Sequence, residues 1–283
     1  MTLAATGGLV ERAVSARSGL LAFNVITLEH AEGIVSGLEA AGVAGTLGIS
    51  ENALLFHGGR LAPLLSACRE LADAARVPVS IHLDHVQDPA LCRDAIASAE
   101  RLGVTSVMVD AAHLDDDANV ARTRELTTLA QAAGLWVEAE LGEVGGKGGA
   151  HAPGVRTDPD EAADFVARTG VDALAVAVGS THAMTTTTAE LDLELVARLA
   201  AAVPVPLVLH GSSGVPPQTV RAAVAAGMRK VNVGTALNVA YTAAVRERLT
   251  ADPRLTDPRR YLRPARDGVA DAVARLCAEV LAT

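Results

Sequence analysis

Eight short runs rich in valine, isoleucine and leucine recur along the chain with helical segments between them, and this alternation restricts the fold more than any other feature of the sequence. The runs are LLAFNVI (20–26), GTLGIS (45–50), VPVSIHLD (77–84), TSVMVD (105–110), LWVEAEL (135–141), ALAVAV (173–178), VPLVLH (205–210) and KVNVG (230–234). Strands that alternate with helices pair in parallel, because the crossover helix returns the chain to the same end of the sheet. A Gly or Pro closes the helix before several of them, as in AARVP, RLGVT, AAGLW, RTGVD and AAGMRK, which is the chemistry of a helix C-terminus. Eight such units predict an α/β fold of the TIM (β/α)8 type, with an open doubly wound sheet as the alternative. A barrel of this kind needs roughly 250 residues, so the 283 present are read as one barrel domain, 1–283, with a C-terminal helical extension.

Composition excludes several function classes. Only 2% of residues are aromatic and the formal net charge is −9, so base stacking is scarce and a polyphosphate partner meets repulsion. No basic run compensates, and neither nucleic acid nor a membrane surface is an expected partner. The three cysteines, Cys68, Cys92 and Cys277, are odd in number and lack CxxC spacing, which fits a reducing compartment and argues against a disulfide framework. Glu11 and Arg12 interrupt the N-terminal stretch where a secretory leader needs an apolar run, and no apolar segment approaches bilayer length. A cytoplasmic protein is expected.

In a barrel, polar residues at strand C-termini converge although they are distant in sequence. Here those ends carry Asn24, Ser50, Asp84 with His85, Asp110, Glu140, His182 beyond the sixth strand, His210, and Asn232 followed by Gly234 and Thr235. His85, His182 and His210 can supply a tripod for a divalent ion with a fourth position open to substrate. Hydrogen-bonding or acid–base roles for the same imidazoles remain the alternative at this point. His82 lies within a strand and reads as a core histidine. The segment HGSSGVPP brings Gly211, Ser212 and Ser213 to a turn before a helix start at Pro216, and NVGT ends the eighth strand. Both lie where barrels commonly bind phosphate, with backbone N–H groups and a helix N-terminus facing the anion.

The motifs HLDH, SVMVD, VEAELG, GVDALAVAVGSTH, PLVLHGSSG, KVNVGT and DPRRYL resemble those of the class II fructose-bisphosphate and tagatose-bisphosphate aldolases across essentially the whole chain. The resemblance implies zinc (Zn2+) as cofactor and a phosphorylated ketose as substrate, cleaved reversibly to dihydroxyacetone phosphate and an aldehyde. It implies Asp84 as the catalytic acid/base, His85, His182 and His210 as zinc ligands, and Asp110 and Glu140 as contacts of a displaced or second metal. Gly211, Ser213, Asn232 and Thr235 match the phosphate and triol binding set, Arg259 matches an arginine that reaches the distal phosphate, and a homodimer or homotetramer is implied. The sequence departs from the pattern at Gly148, where the family carries a loop carboxylate, and at Ala183, where it carries glycine. A Schiff-base aldolase on the same fold needs a lysine in the pocket. The chain has only Lys147, in a glycine-rich loop, and Lys230, which at the start of the eighth strand is expected on the opposite, stability face.

Overall fold

The computed structural model describes residues 2–141, 156–180 and 189–281. In chain order the elements are α1 (Thr6–Ser15), β1 (Leu20–Asn24), α2 (Leu28–Ala41), β2 (Gly45–Ser50), α3 (Glu51–Phe56), α4 (Leu61–Ala74), β3 (Val79–Val86), α5 (Pro89–Leu102) and β4 (Ser106–Val109). They continue with α6 (Asp116–Ala132), β5 (Trp136–Glu140), α7 (Pro159–Thr169), β6 (Ala173–Ala175), α8 (Leu193–Ala202), β7 (Leu207–Leu209), α9 (Pro217–Ala226), β8 (Met228–Val233), α10 (Thr235–Ala251) and α11 (Arg259–Leu281). The eight strands pair in parallel in sequence order, and β8 closes on β1 through Ala22 opposite Asn232. This is the closed (β/α)8 barrel expected from the alternation.

The side-chain period of two along a strand divides the barrel into two unlike faces. Outward residues such as Phe23, Leu47, Ile81, Leu83, Val107, Val137, Leu174, Leu209 and Val231 join one apolar cluster with the surrounding helices. The inward face is mixed. Met108, Ala173, Ala175 and Val208 form a small apolar group there, whereas Thr46, Ser80, His82, Ser106, Glu138 and Lys230 are all fully buried polar residues. Helix α1 sits against the barrel at Thr6, whose hydroxyl bonds those of Thr105 at 2.8 Å and Ser106 at 2.7 Å. Ser106 in turn bonds His82 Nδ1 at 2.9 Å.

Several of the boundary signals read from sequence act as expected. Gly103 (φ 74°) and Gly170 (φ 72°) cap α5 and α7 in the left-handed conformation. Asp88, Asp115, Asp158 and Asp192 cap the N-termini of α5, α6, α7 and α8. The long α11 lies on α2 at very close range: a Cβ on Gly33 would sit 2.6 Å from the Arg266 carbonyl, and one on Gly37 would sit 2.5 Å from that of Ala270. No described helix is long and apolar enough to cross a membrane.

Candidate active site

Strand β3 brings two of the candidate residues to the barrel mouth because its regular alternation breaks at the end. Its register against β4 shifts between Leu83 and Val86, and His85 adopts φ 48°, a conformation seldom held by a residue with a Cβ. A regular strand would send Asp84 inward and His85 outward. With the irregularity, Asp84 and His85 both face the barrel mouth and share one cluster with His210. Strain of this kind persists where the surrounding contacts over-determine it.

The two imidazoles meet edge to face, their centroids 4.7 Å apart, with His85 Nε2 2.8 Å from His210 Nδ1. Carboxylates hold their other nitrogens: Asp110 Oδ2 accepts from His85 Nδ1 at 3.0 Å, and Glu138 Oε1 accepts from His210 Nε2 at 2.8 Å. A carboxylate can only accept, so each outer nitrogen carries a hydrogen and the inner nitrogens face one another. Asp84 is 2% exposed, and two amides grip its carboxylate: Asn232 Nδ2 donates to Oδ1 at 3.0 Å and Asn24 Nδ2 to Oδ2 at 3.2 Å. Asn24 Oδ1 is buried and has no hydrogen-bond partner among the described residues.

The acidic surroundings shape the charges here. Burial alone would lower the pKa of His85, but the charge of Asp84, the Asp110 hydrogen bond and the charges of Glu140 and Asp110 reverse this and raise it to about 10. Burial pushes Asp110 the other way, yet the hydrogen bond and charge of His85, the Gln87 amide and the Ala112 N–H hold it down at about 2. His82 drops to about 3, through burial and then the nearby Lys230 charge. The carboxylates around the paired imidazoles therefore make a field that stabilises positive charge there.

The same arrangement fits a divalent cation. Two groups of donor atoms within 4.8 Å of one another are present, Asp84 with His85 and His210, and His85 with Asp110 and Glu140. Imidazole ligands bound tetrahedrally at about 2.0–2.1 Å lie roughly 3.3 Å apart, so these rings need to part by only about half an ångström. Each carries the carboxylate partner usual behind metal-binding histidines. His182, the third histidine of the sequence-read tripod, lies outside the described residues, as do Lys147, Gly148 and Ala183.

Beside this cluster the turns after β7 and β8 are tied together. Gly211 takes φ 67° ahead of a 3-10 turn at Ser212–Gly214. Ser212 Oγ donates to the Asn232 carbonyl at 2.6 Å, and Ser213 Oγ accepts from Ala236 N at 3.1 Å. Gly234 is the N-cap of α10 without a side-chain cap bond, and Thr235 is the first helical residue. Two sequence-read positions serve other contacts: Ser50 Oγ caps α3 by accepting from Ala53 N, and Arg259, 86% exposed, pairs with Asp257 at 2.9 Å.

Lys230 requires a correction. It is fully buried inside the barrel and not on the opposite face, with Nζ 2.8 Å from Glu138 Oε2 and 2.7 Å from Asn232 Oδ1. Glu138, Lys230 and Ser180, whose hydroxyl donates to the His210 carbonyl at 2.6 Å, were not anticipated. The signal was parity: Glu138 and Lys230 stand two residues before Glu140 and Asn232, hence on the same inward face one layer deeper.

Comparison with known proteins agrees with this geometry. Residues 4–283 match the family model described as fructose-bisphosphate aldolase class-II. The chain is 37% identical to a fructose-bisphosphate aldolase of Thermus caldophilus, covering 90% of each chain, and 36% identical to one of Geobacillus stearothermophilus, covering 95% of this chain and 93% of the relative. Among solved structures, the YdjI aldolase of Escherichia coli K12 superposes with a TM-score of 0.82 at 30% identity, over 98% of this chain and 96% of that one. The closed barrel, the clustered strand ends and these likenesses together establish that the chain belongs to the class II fructose-bisphosphate aldolase family, a family of carbon–carbon lyases.

Proposed function

We propose that this chain cleaves a ketose bisphosphate, fructose 1,6-bisphosphate or tagatose 1,6-bisphosphate, to dihydroxyacetone phosphate and an aldehyde, and runs the condensation in reverse. The observation that carries the reading is Asp84: a nearly buried carboxylate gripped by Asn24 and Asn232 beside two imidazole nitrogens 2.8 Å apart.

His85 and His210, joined by His182, would hold zinc. A divalent cation bound there supplies the positive charge that steadies the electron-rich three-carbon fragment. Asp84 accepts the proton of the C4 hydroxyl as the C3–C4 bond breaks. C4 becomes the aldehyde carbonyl, the bonding electron pair stays with C3, and Asp84 returns the proton in condensation. Asn24 and Asn232 keep the carboxylate aimed, and Asn24 Oδ1 offers an acceptor to a substrate hydroxyl. Asp110 acts first as the partner of His85, with Glu140 adding negative charge to the pocket. The turns at Gly211–Ser213 and Gly234–Thr235 present backbone N–H groups to the phosphate of the retained fragment. Arg259 reaches a distal phosphate only by leaving Asp257. We also assign the protein to the cytoplasm and to a homodimer or homotetramer; the 70% and 58% exposure of Phe56 and Leu55 supports an interface on α3.

The test is release of triose phosphate from each bisphosphate by metal-assayed protein. Turnover that a chelator abolishes and zinc restores is expected. Tight sugar-phosphate binding without turnover at any metal loading would replace the enzyme by a binding protein, and a borohydride-trapped adduct would replace the metal mechanism by a Schiff base.

A further inference from the structure

Beneath the paired imidazoles lies a buried cation that the reaction as derived does not use. Lys230 Nζ donates in two directions: to Glu138 Oε2 at 2.8 Å and to Asn232 Oδ1 at 2.7 Å. All three side chains are buried, and Lys230 and Glu138 show no exposure. An ammonium group has no acceptor, so each of its neighbours must turn an oxygen toward it.

Two consequences propagate upward. On one branch Asn232, its Oδ1 taken by Lys230, is left with Nδ2 toward Asp84 Oδ1 at 3.0 Å. Without the lysine Oδ1 loses its donor, and the Asp84 carboxylate alone is left to hold the amide in its direction. On the other branch Glu138, its Oε2 held by Lys230, receives His210 Nε2–H on Oε1 at 2.8 Å. That bond leaves the His210 Nδ1 lone pair toward His85 Nε2.

We propose that Lys230 is a positioning residue that orients the acid/base and the metal-binding imidazole at once, through Asn232 to Asp84 and through Glu138 to His210. It touches neither substrate nor metal. The inference rests on the functional reading above. A buried ion pair is a weak source of stability, since desolvation offsets most of the attraction, and a shared orienting role accounts for a lysine in a place where an apolar side chain would pack.

The test uses the full-length protein with Lys230→Met and Glu138→Gln combined, so that no unpaired charge is left in the barrel. With folding verified by thermal melting and circular dichroism, zinc affinity of the metal-stripped protein is read by competition with a chromogenic chelator. We expect binding roughly 10- to 100-fold weaker, the range seen when groups behind metal ligands are removed. At saturating zinc, kcat should fall roughly tenfold with KM within about threefold, because the phosphate turns are untouched. The same pair of changes in an Asn232→Ala background should cost less than about threefold more in kcat, since one branch acts through Asn232. Lys230→Gln with Glu138→Gln retains a donor amide, and zinc affinity within about threefold of the unchanged protein is expected of it. Unchanged zinc affinity and kcat in the folded Met variant overturn the inference, as do a full multiplicative loss in the Asn232→Ala background or a hundredfold zinc loss in the Gln variant. If the Met variant does not fold, Lys230→Leu with Glu138→Leu, which also removes the donor and leaves no unpaired charge, is read in its place against the same outcomes. If the unchanged protein binds no metal and turns nothing over, the functional reading itself fails; if it does both and the folded Met variant matches it, only the role of Lys230 fails.

Discussion

Asp84 accepts from two neighbouring amides and belongs to one cluster in which it is a potential ligand, so its role divides cleanly by substitution. Asp84→Asn keeps the shape but replaces one acceptor oxygen by an amide facing Asn24 or Asn232. As the acid/base, it should lose roughly 10²- to 10⁴-fold in kcat while zinc affinity stays within about threefold. Loss of metal together with activity would make Asp84 a ligand and leave the proton without a carrier. At this scale much of the site was legible, because imidazoles and carboxylates ending apolar strands are expensive to bury without a function. What was not legible is which atom meets which. The facing of His85 Nε2 and His210 Nδ1 depends on a positive φ at His85 and on two carboxylates from other strands.

Among elements, the contact of α2 with α11 shows local preference yielding to packing. Glycine in a helix normally costs about 0.5–1 kcal/mol relative to alanine, so Gly37→Ala should stabilise an isolated α2. Here the added methyl would lie 2.5 Å from the Ala270 carbonyl and 2.7 Å from Val273 Cβ. We expect a loss of roughly 1–3 kcal/mol, a drop of roughly 2–10 °C in Tm. Gly8→Ala in α1 meets nothing within 4 Å and should raise stability by up to about 1 kcal/mol. Calorimetry that finds the same sign for both would remove the packing explanation. The Gly33 and Gly37 spacing was visible in the sequence, but not that α11, more than 200 residues later, would press its backbone on it. The strands were far easier to read, because the β-branched runs and the glycines that end the intervening helices are local signals.

For the whole molecule, the barrel interior makes stability depend on acid. His82 is wholly buried, bonded to Ser106, and its imidazole is pushed down to about 3 by burial and by Lys230. Between that value and about 6.5 the unfolded chain binds a proton that the folded chain refuses. Its contribution is therefore intact above about 6.5 and lost as pH falls toward 3. In denaturant titrations from pH 6.5 to 4, His82→Gln should flatten the acid-side slope by up to about 1.4 kcal/mol per pH unit; an unchanged slope would assign the acid sensitivity to other groups. The sequence by itself determined the barrel, since alternating strands and crossover helices leave few closed arrangements, and it determined which strand ends are polar. It could not determine the inner layer, where Thr6, Ser106, His82, Glu138, Lys230 and Asn232 meet from separate parts of the chain. Hydrogen-bond direction there follows from which donors and acceptors closure of the barrel brings within 3 Å, and that proximity exists only once every strand is in register.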